Sequence, residues 1–211
     1  MSLLGWGLSA DQDIFTMEEL VAAFDVKNVN PNPARFDQKK ADAINAAHIR
    51  LLTLDDFKSR LMPYLQSAGI VGATLTAAEG AILDAAAPLI QERLVVLSEA
   101  PDLISFLFKT AEEIVIEDDA KAGLPENTVE VLTAAIAALE PIADSEFKTE
   151  KIQADLQAAL IDGLGLKPRI AFGPLRTGIS GRRISPPLFE SMEILGKTET
   201  IARLAAFASQ G

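Results

Sequence analysis

The sequence predicts an all-α fold, and three observations point to it. Apolar residues recur three and four positions apart, which is the period of one helix face. Threonine or asparagine stands three residues before glutamate at Thr76/Glu79 and at Asn127/Glu130, and this spacing is typical of a helix N-terminus. No segment alternates apolar and polar residues strongly enough to predict a strand.

The first predicted helices follow a loop. Residues 28–36 are rich in asparagine and proline, which favours turns, and Asp37 is expected to cap the helix that follows. Thr53 precedes an apolar stripe at helical spacing that stops near Gly69. This predicts a second helix, because threonine caps N-termini and glycine commonly ends helices.

The middle of the chain holds the longest apolar run. Thr76 opens that run, which extends to Leu97, and Pro88 is expected to kink or split it. A helix is expected to restart at Pro101, so a domain boundary is predicted between residues 98 and 99. The acidic stretch 112–125 is interpreted as a solvated connection.

The remaining predicted helices lie in the C-terminal half. Asn127 opens one that stops before Pro141, and the apolar stripe 152–160 ends at a pair of glycines. Ser185 is interpreted as an N-cap with two prolines in the first turn, and Thr198 is predicted to open the last helix.

The composition excludes several kinds of site. The chain has 211 residues, no cysteine and a single histidine, His48, so thiolate metal sites, histidine-based metal triads and Ser-His-Asp chemistry have no ligands or partners. The 30 acidic and 19 basic residues give a net charge of −11, which argues against a general polyanion binder. No apolar run reaches the roughly 20 residues of a membrane span, so a cytoplasmic chain without membrane contact is expected.

One segment departs from this acidic average. Between residues 162 and 190 there is no acidic residue, and the segment carries +5 against −16 for the rest of the chain. Its basic residues are Lys167, Arg169, Arg176, Arg182 and Arg183. Phe172 and Phe189 offer faces on which bases could stack. Two interpretations remain open: a nucleic-acid footprint, or a mobile loop that pairs with the protein's own acidic helices.

Arg93 is also out of pattern. The apolar stripe that passes through Ala86 and Leu97 would continue through position 93, so its guanidinium is expected at or beside the apolar seam. It is either a structural arginine that reaches an acid such as Glu92 or Glu99, or a binding residue.

Several ordered blocks of the chain together form a distinctive series. The first is Leu-Leu-Gly-Trp-Gly at 3–7, followed by Asp-Ile-Phe-Thr-Met-Glu-Glu-Leu at 13–20. The second comprises Phe36, Asp37, Asn45, His48, Ile49 and Arg50. The later blocks are Pro-Leu-Arg at 174–176 with Gly181, Ser-Pro-Pro-Leu-Phe-Glu at 185–190 and Leu-Gly-Lys at 195–197. In this order, the blocks resemble bacterial glutamyl-tRNA synthetases.

The resemblance implies the C-terminal portion of such an enzyme. It places a helical stem-contact region at 1–98 and an all-helical anticodon-binding domain at 99–211. The His-Ile-Gly-His and Lys-Met-Ser-Lys-Ser type motifs that bind ATP in that family are absent. This portion is therefore expected to have no catalytic residue, metal site or cofactor and to be inactive alone. The parent enzyme would use ATP and magnesium to attach glutamate to its tRNA.

The resemblance also assigns roles to individual residues. The anticodon-binding positions of the family fall on Arg93, Arg176, Ser185, Pro186 and Leu188. Arg93 inherits the role of discriminating the third anticodon base. Cytosine presents acceptors on its pairing edge whereas guanine presents N–H donors, so an arginine there favours glutamate anticodons, which end in C, over glutamine anticodons, which end in G.

The other basic residues of the segment, Lys167, Arg169, Arg182 and Arg183, are expected to contact phosphates. The leading hypothesis is a monomeric module that reads the anticodon loop of the tRNA for glutamate. The alternative is an acidic all-helical protein-interaction scaffold without RNA binding. A stand-alone enzyme is disfavoured, because no cluster of titratable groups at helical spacing emerges.

Overall fold

The structure is a computed structural model, and it describes residues 3, 5–9, 12–30 and 35–210. Leu4 of the opening block and residues 31–34 of the predicted loop lie outside the described residues. The described part contains helices and no strand, so the all-α prediction is confirmed. In chain order the α-helices are α1 Met17–Ala23, α2 Gln38–Leu51, α3 Leu54–Ser67, α4 Ala77–Gln91, α5 Ala100–Ile104, α6 Asp118–Ala122, α7 Thr128–Leu139, α8 Thr149–Leu156, α9 Pro168–Ser180 and α10 Leu188–Ala208.

Most buried apolar residues of the described part form a cluster that extends from Ile49 to Phe207. In its first half α3 packs against α4 and α5, and in its second half α10 packs against α7, α8 and α9. Fully buried leucines such as Leu61 and Leu132 come from both halves. Residues on both sides of position 98 therefore share one cluster, and the domain boundary proposed there stays a prediction.

The N-termini of three helices follow the local sequence. Asp37 accepts a hydrogen bond from the backbone N–H of Lys40 at 3.1 Å, and Thr53 caps α3 in the same way. At α4 the capping box forms fully, because the hydroxyl of Thr76 accepts from the N–H of Glu79 while the carboxylate of Glu79 accepts from the N–H of Thr76 at 2.7 Å. These three predictions are confirmed.

Pro88 does not split the run, so that half of the prediction is wrong, and the kink stays a prediction. Helix α4 continues through Pro88 to Gln91. Pro88 lies on the exposed face of the helix, where water can hydrogen-bond the carbonyl that its missing N–H leaves free. The run then ends well before Leu97, which begins a short 3₁₀ helix instead of continuing α4.

Two predicted side-chain caps do not form, although α7 begins directly after Asn127, as predicted, and α10 begins close to Ser185. Asn127 precedes α7, but its backbone is not extended (φ −88°, ψ 24°) and its side chain caps nothing among the described residues. Helix α10 begins at Leu188 with Pro187 in the N-cap position, so both prolines precede the helix. The hydroxyl of Ser185 is bonded to Arg176 instead.

Glycines end or interrupt the last helices. Helix α8 runs into a π-helical turn at Gln157–Gly163, and Gly165 has a left-handed backbone (φ +65°), in agreement with the predicted end. Within α10, Gly196 has φ 76° and ψ 165°, so the regular helix is broken there. This break agrees with the predicted start of a last helix near Thr198.

The acidic stretch 112–125 is more than a connection. It contains α6 and two buried side chains, Ile116 and Ala120. It also packs on the basic segment, because the N–H of Glu117 donates to the carbonyl of Gly181 at 2.9 Å. The prediction that this stretch is only solvated is therefore wrong.

Candidate nucleic-acid interface

The acid-free segment 163–189 begins at the end of the π-helical turn and comprises α9, the loop on each side of it and the first two residues of α10. Lys167 is the N-cap residue of α9 and Pro168 occupies its first turn, where a missing N–H costs nothing. The helix ends at Gly181, which has a left-handed backbone (φ +74°) and donates its N–H to the carbonyl of Thr177 at 2.7 Å. The following loop, 181–187, leads into α10.

Gly181 is required for two reasons. Its left-handed backbone is rarely adopted by residues with a side chain. A Cβ at this position would also lie 2.3 Å from the carbonyl oxygen of Val115, which is backbone and has little room to move. The loop after α9 is therefore fixed against residues 114–117 of the acidic stretch.

Arg176 is the centre of a hydrogen-bonded group in this loop. Its Nη1 donates to the hydroxyl of Ser185 at 2.6 Å, to the carbonyl of Pro186 at 2.9 Å and, more weakly, to the carbonyl of Ser185 at 3.3 Å. Ser185 and Pro186 are buried, whereas Arg176 is half-buried. All of these contacts use Nη1, and within the described residues Nε and Nη2 make no hydrogen bond.

The surroundings of Arg176 contain a second arginine. Burial is the main cause that lowers the pKa of Arg176, and the positive charge of Arg93 lowers it further, while Glu190 acts in the opposite direction. The structure therefore brings Arg93 and Arg176 close enough for their charges to interact, although the two lie on different elements. Two neighbouring guanidiniums favour an anionic or acceptor-rich ligand.

An open cleft of about 620 Å³ lies beside Arg176. It is lined on one side by α9 and on another by residues 120–125. Its basic residues are Arg169, Arg176 and Arg183, and the ring of Phe172 also lines it. This cleft is large enough for a nucleotide, and its charge suits phosphate or base acceptors.

The four predicted phosphate-contacting residues have different surroundings. Lys167, Arg169 and Arg183 are exposed and form no ion pair with any described residue. Arg182 is held by acids: its Nε lies 2.8 Å from Glu117, its Nη2 lies 3.6 Å from Asp102, and it also donates to the carbonyl of Asp102. At Arg182 the loop does pair with the protein's own acids, and an RNA phosphate would have to compete with two carboxylates for it.

Three other predicted contact residues already pack against other parts of the protein. Phe172 and Phe189 pack edge to face, with centroids 5.3 Å apart, so each already has an aromatic neighbour. Leu188 is 4% exposed and belongs to the core cluster. The structure thus brings Arg176, Ser185 and Pro186 together, with Arg93 nearby, whereas the side chain of Leu188 packs inward.

Arg93 is not at the apolar seam of a helix, so that prediction is wrong. Helix α4 ends at Gln91, and Arg93 lies in the turn that follows, with its side chain exposed. Leu94 is the residue of this turn that enters the core, because it is fully buried. The interpretation of Arg93 as a structural arginine has no support among the described residues, because its guanidinium forms no ion pair there, and Glu92 pairs with Arg50 instead.

Sequence reasoning missed Arg203. It is 1% exposed, and it donates to the carbonyls of Phe106 at 3.1 Å and Ile179 at 2.8 Å and to that of Lys109. Its Nε also pairs with Glu199 at 2.7 Å. The available signal was a lone arginine in an apolar stretch with an acid four residues before it.

The part of the chain that the structure describes contains no cluster suited to a metal ion. No group of three or more histidine, aspartate or glutamate side chains there is arranged to hold one. Among the same residues, no helix has the length and apolar character needed to cross a membrane.

The chain is similar to known proteins along nearly its whole length. A family model described as "Anticodon binding domain" matches residues 56–208. A glutamate–tRNA ligase from Arthrobacter sp. (strain FB24) is 62% identical over 207 residues, and one from Leifsonia xyli subsp. xyli is 56% identical over 209. These matches cover 98% and 99% of this chain but only 41% and 43% of the relatives, so the chain spans about two fifths of their length.

Among solved structures, the chain resembles a glutamate tRNA ligase from Elizabethkingia meningosepticum CCUG26117, determined in complex with its amino acid. The TM-score is 0.79 at 22% identity, and the match covers 99% of this chain and 39% of that one. This likeness supports the fold.

Proposed function

Because the chain belongs to the anticodon-binding domain family, we propose that it is the tRNA-binding part of a glutamate–tRNA ligase and reads the anticodon loop. The observation that carries the proposal is Arg176, which Ser185 and Pro186 hold by hydrogen bonds at the edge of a basic cleft. An unpaired anticodon loop presents bases whose edges are free, and guanidinium groups can donate to their acceptors.

In this proposal Ser185 and Pro186 orient Arg176, so that its remaining N–H groups donate hydrogen bonds to one base of the loop. Arg93 donates to the acceptors of a cytosine at the third anticodon position, and a guanine there would direct N–H groups at the guanidinium. Leu188 matches an anticodon-binding position of the family. Because its side chain is buried, it would support the loop of Ser185 and Pro186 from the core side and not contact a base directly.

The exposed cations Lys167, Arg169 and Arg183 contact phosphates of the stem and loop. Arg182 can contact a phosphate only after its ion pairs with the protein's own carboxylates break. Five cations in a segment of an otherwise acidic chain would also orient the RNA, because the rest of the surface repels phosphate. The proposed partner is the tRNA for glutamate, bound by a monomer in the cytoplasm.

The joining of glutamate to tRNA is proposed for the longer protein and not for this portion. ATP and magnesium would be bound by the part that this chain does not span. In this proposal the role of the present portion is to bind and orient the tRNA.

A binding titration tests the proposal against an acidic scaffold. The full chain is titrated with a labelled transcript of a tRNA that carries the glutamate anticodon UUC, at several salt concentrations. We expect saturable binding that weakens as salt rises, with a log–log slope of about −0.7 for each neutralised phosphate of a single-stranded loop. Absence of binding, or affinity that ignores salt, would instead support a protein-interaction scaffold.

A further inference from the structure

The turn that carries Arg93 is held in place by helix α2. Nε and Nη2 of Arg50 both donate to the carbonyl of Glu92, at 3.3 and 3.1 Å, and the guanidinium also pairs with the carboxylate of Glu92 at 3.3 Å. Asn45 donates through its side-chain amide to the carbonyl of Val95. The residues on both sides of Arg93 are therefore bonded to α2.

The end of α4 is tied to the same helix. Gln91 is 8% exposed, and its amide donates to the carbonyls of Ile49 and Leu52 at 2.9 Å each. The last carbonyls of a helix have no partner within the helix and need such donors. This contact therefore pairs two carbonyls at the C-terminal end of α2 and at the same time holds the end of α4 in place. On the opposite side of the turn, the carboxylate of Glu99 accepts from the N–H groups of Val95 and Val96.

The side chain of Arg93 is the exception in this arrangement. It is exposed, and within the described residues it makes no hydrogen bond or ion pair. Its own backbone is nevertheless fixed, because its N–H donates to the carbonyl of Ile90 at 2.9 Å and the next residue, Leu94, is fully buried. The backbone that carries Arg93 is therefore fixed in position, while its guanidinium remains available to a ligand.

We propose that Asn45 and Arg50 are positioning residues for base discrimination, acting through the turn that carries Arg93. This inference rests on the proposed function. Both residues lie outside the range 56–208 that matches the anticodon-binding domain, so a segment preceding that domain sets the geometry of its discriminating residue. Base selectivity would then depend on hydrogen bonds within the protein, made by residues that do not contact the RNA.

The variant Arg50→Lys separates position from charge. Lysine keeps the positive charge, but a single ammonium cannot reproduce the two-pronged bond to the carbonyl of Glu92. The full chain is titrated with two tRNA transcripts that differ only in the third anticodon base, C or G. We expect the ratio of the two dissociation constants to fall about 3- to 10-fold in Arg50→Lys. Arg60→Lys, a change at another exposed arginine whose ion pair is with Asp56, should leave the ratio unchanged.

A double variant shows whether the effect passes through Arg93. If Arg50 acts only by placing Arg93, then Arg50→Lys should not change the ratio any further in an Arg93→Gln background. Asn45→Ala serves as an independent variant because its side chain is exposed and its loss removes one hydrogen bond, so it keeps the test decisive if Arg50→Lys does not fold.

A wild-type ratio retained in both Arg50→Lys and Asn45→Ala overturns the inference and leaves the proposed function standing. An equal loss of affinity for both transcripts also overturns it, because that result means direct phosphate contact by Arg50. A wild-type chain that binds both transcripts equally well overturns the proposed function, and the inference with it.

Discussion

The guanidinium of Arg176 is fixed by Ser185, whose hydroxyl accepts a hydrogen bond of 2.6 Å from Nη1. The same nitrogen donates to the carbonyl of Pro186 at 2.9 Å. One end of the guanidinium is thus bonded within the protein, and the other is left for a ligand. This division gives a long, flexible side chain a defined direction without using all of its donors.

Replacement of Arg176 by alanine is expected to weaken binding to both the C-ending and the G-ending anticodon. The proposed contact of Arg176 lies at another position of the loop, so both transcripts lose it. A hydrogen bond to a charged donor contributes about 1.5 to 3 kcal/mol, which corresponds to a loss of affinity of roughly 10- to 100-fold. Titration with both transcripts measures it, and Arg60→Ala is the control. A loss confined to one transcript would contradict the assignment.

The adjacent residues Arg182 and Arg183 should differ in their salt dependence. Arg183 is exposed and unpaired among the described residues, whereas Arg182 is bonded to Glu117 and Asp102. We expect Arg183→Gln to make the log–log salt slope less negative by about 0.7 and Arg182→Gln to change it much less. Equal changes in the two variants would mean that RNA displaces the carboxylates from Arg182.

Arg203 should matter for stability more than for recognition. Arg203→Leu removes the donor for three backbone carbonyls and leaves Glu199 without its partner. Because each unsatisfied buried acceptor costs about 1 to 3 kcal/mol, we expect the free energy of unfolding to fall by about 3 kcal/mol or more. Urea denaturation followed by circular dichroism measures it, with Arg60→Leu as the exposed control. A loss below about 1 kcal/mol would show that these contacts are dispensable.

Glu193 predicts an acid-dependent loss of stability. Hydrogen bonds from the hydroxyl and N–H of Thr149, at 2.7 Å each, and the charge of Lys148 lower the pKa of Glu193 below the usual glutamate value of 4.5. A carboxylate whose pKa is lower in the folded state stabilises the fold above the pKa of the unfolded chain. That contribution is lost as pH falls through the lowered value.

The difference in unfolding free energy between the wild-type chain and Glu193→Gln should therefore be largest at neutral pH, at about 0.5 to 1 kcal/mol because the carboxylate is partly exposed. It should shrink as pH falls below about 4.5, the usual pKa of glutamate. Denaturation of both proteins across this range measures the difference, and a difference that stays constant with pH would contradict the proposed charge on Glu193.

The sequence predicted those features of the fold whose signals lie within a few residues. The capping box of Thr76 and Glu79 needs only one turn of helix, so the residues that decide it are adjacent in sequence. The cap predicted at Ser185 depended on the same kind of signal. In the structure, however, the hydroxyl of Ser185 accepts a hydrogen bond from Arg176, which lies on α9. A pattern within one helix turn cannot reveal a hydrogen-bond partner that lies on another helix.

At the candidate site, too, local features could be predicted from the sequence and features that depend on remote contacts could not. The basic segment could be identified from charge alone, because its residues are consecutive on the chain. The placement of Arg93 could not, because it depends on where α4 ends. Gln91 and Glu92 are held there by hydrogen bonds to α2 residues 42 positions away in the sequence, and no local stop signal marks the place. Arg203 was missed because its carbonyl partners come from separate parts of the chain.

The role assigned to Arg93 is tested by the preference for C over G at the third anticodon position, measured as two dissociation constants for the wild-type chain and for Arg93→Gln. Glutamine can both donate and accept, so it should tolerate either base. We expect the wild-type chain to prefer C, and Arg93→Gln to lose about 1 to 3 kcal/mol toward the C-ending anticodon and with it the preference. An Arg93→Gln chain that keeps the wild-type preference would contradict base discrimination by Arg93.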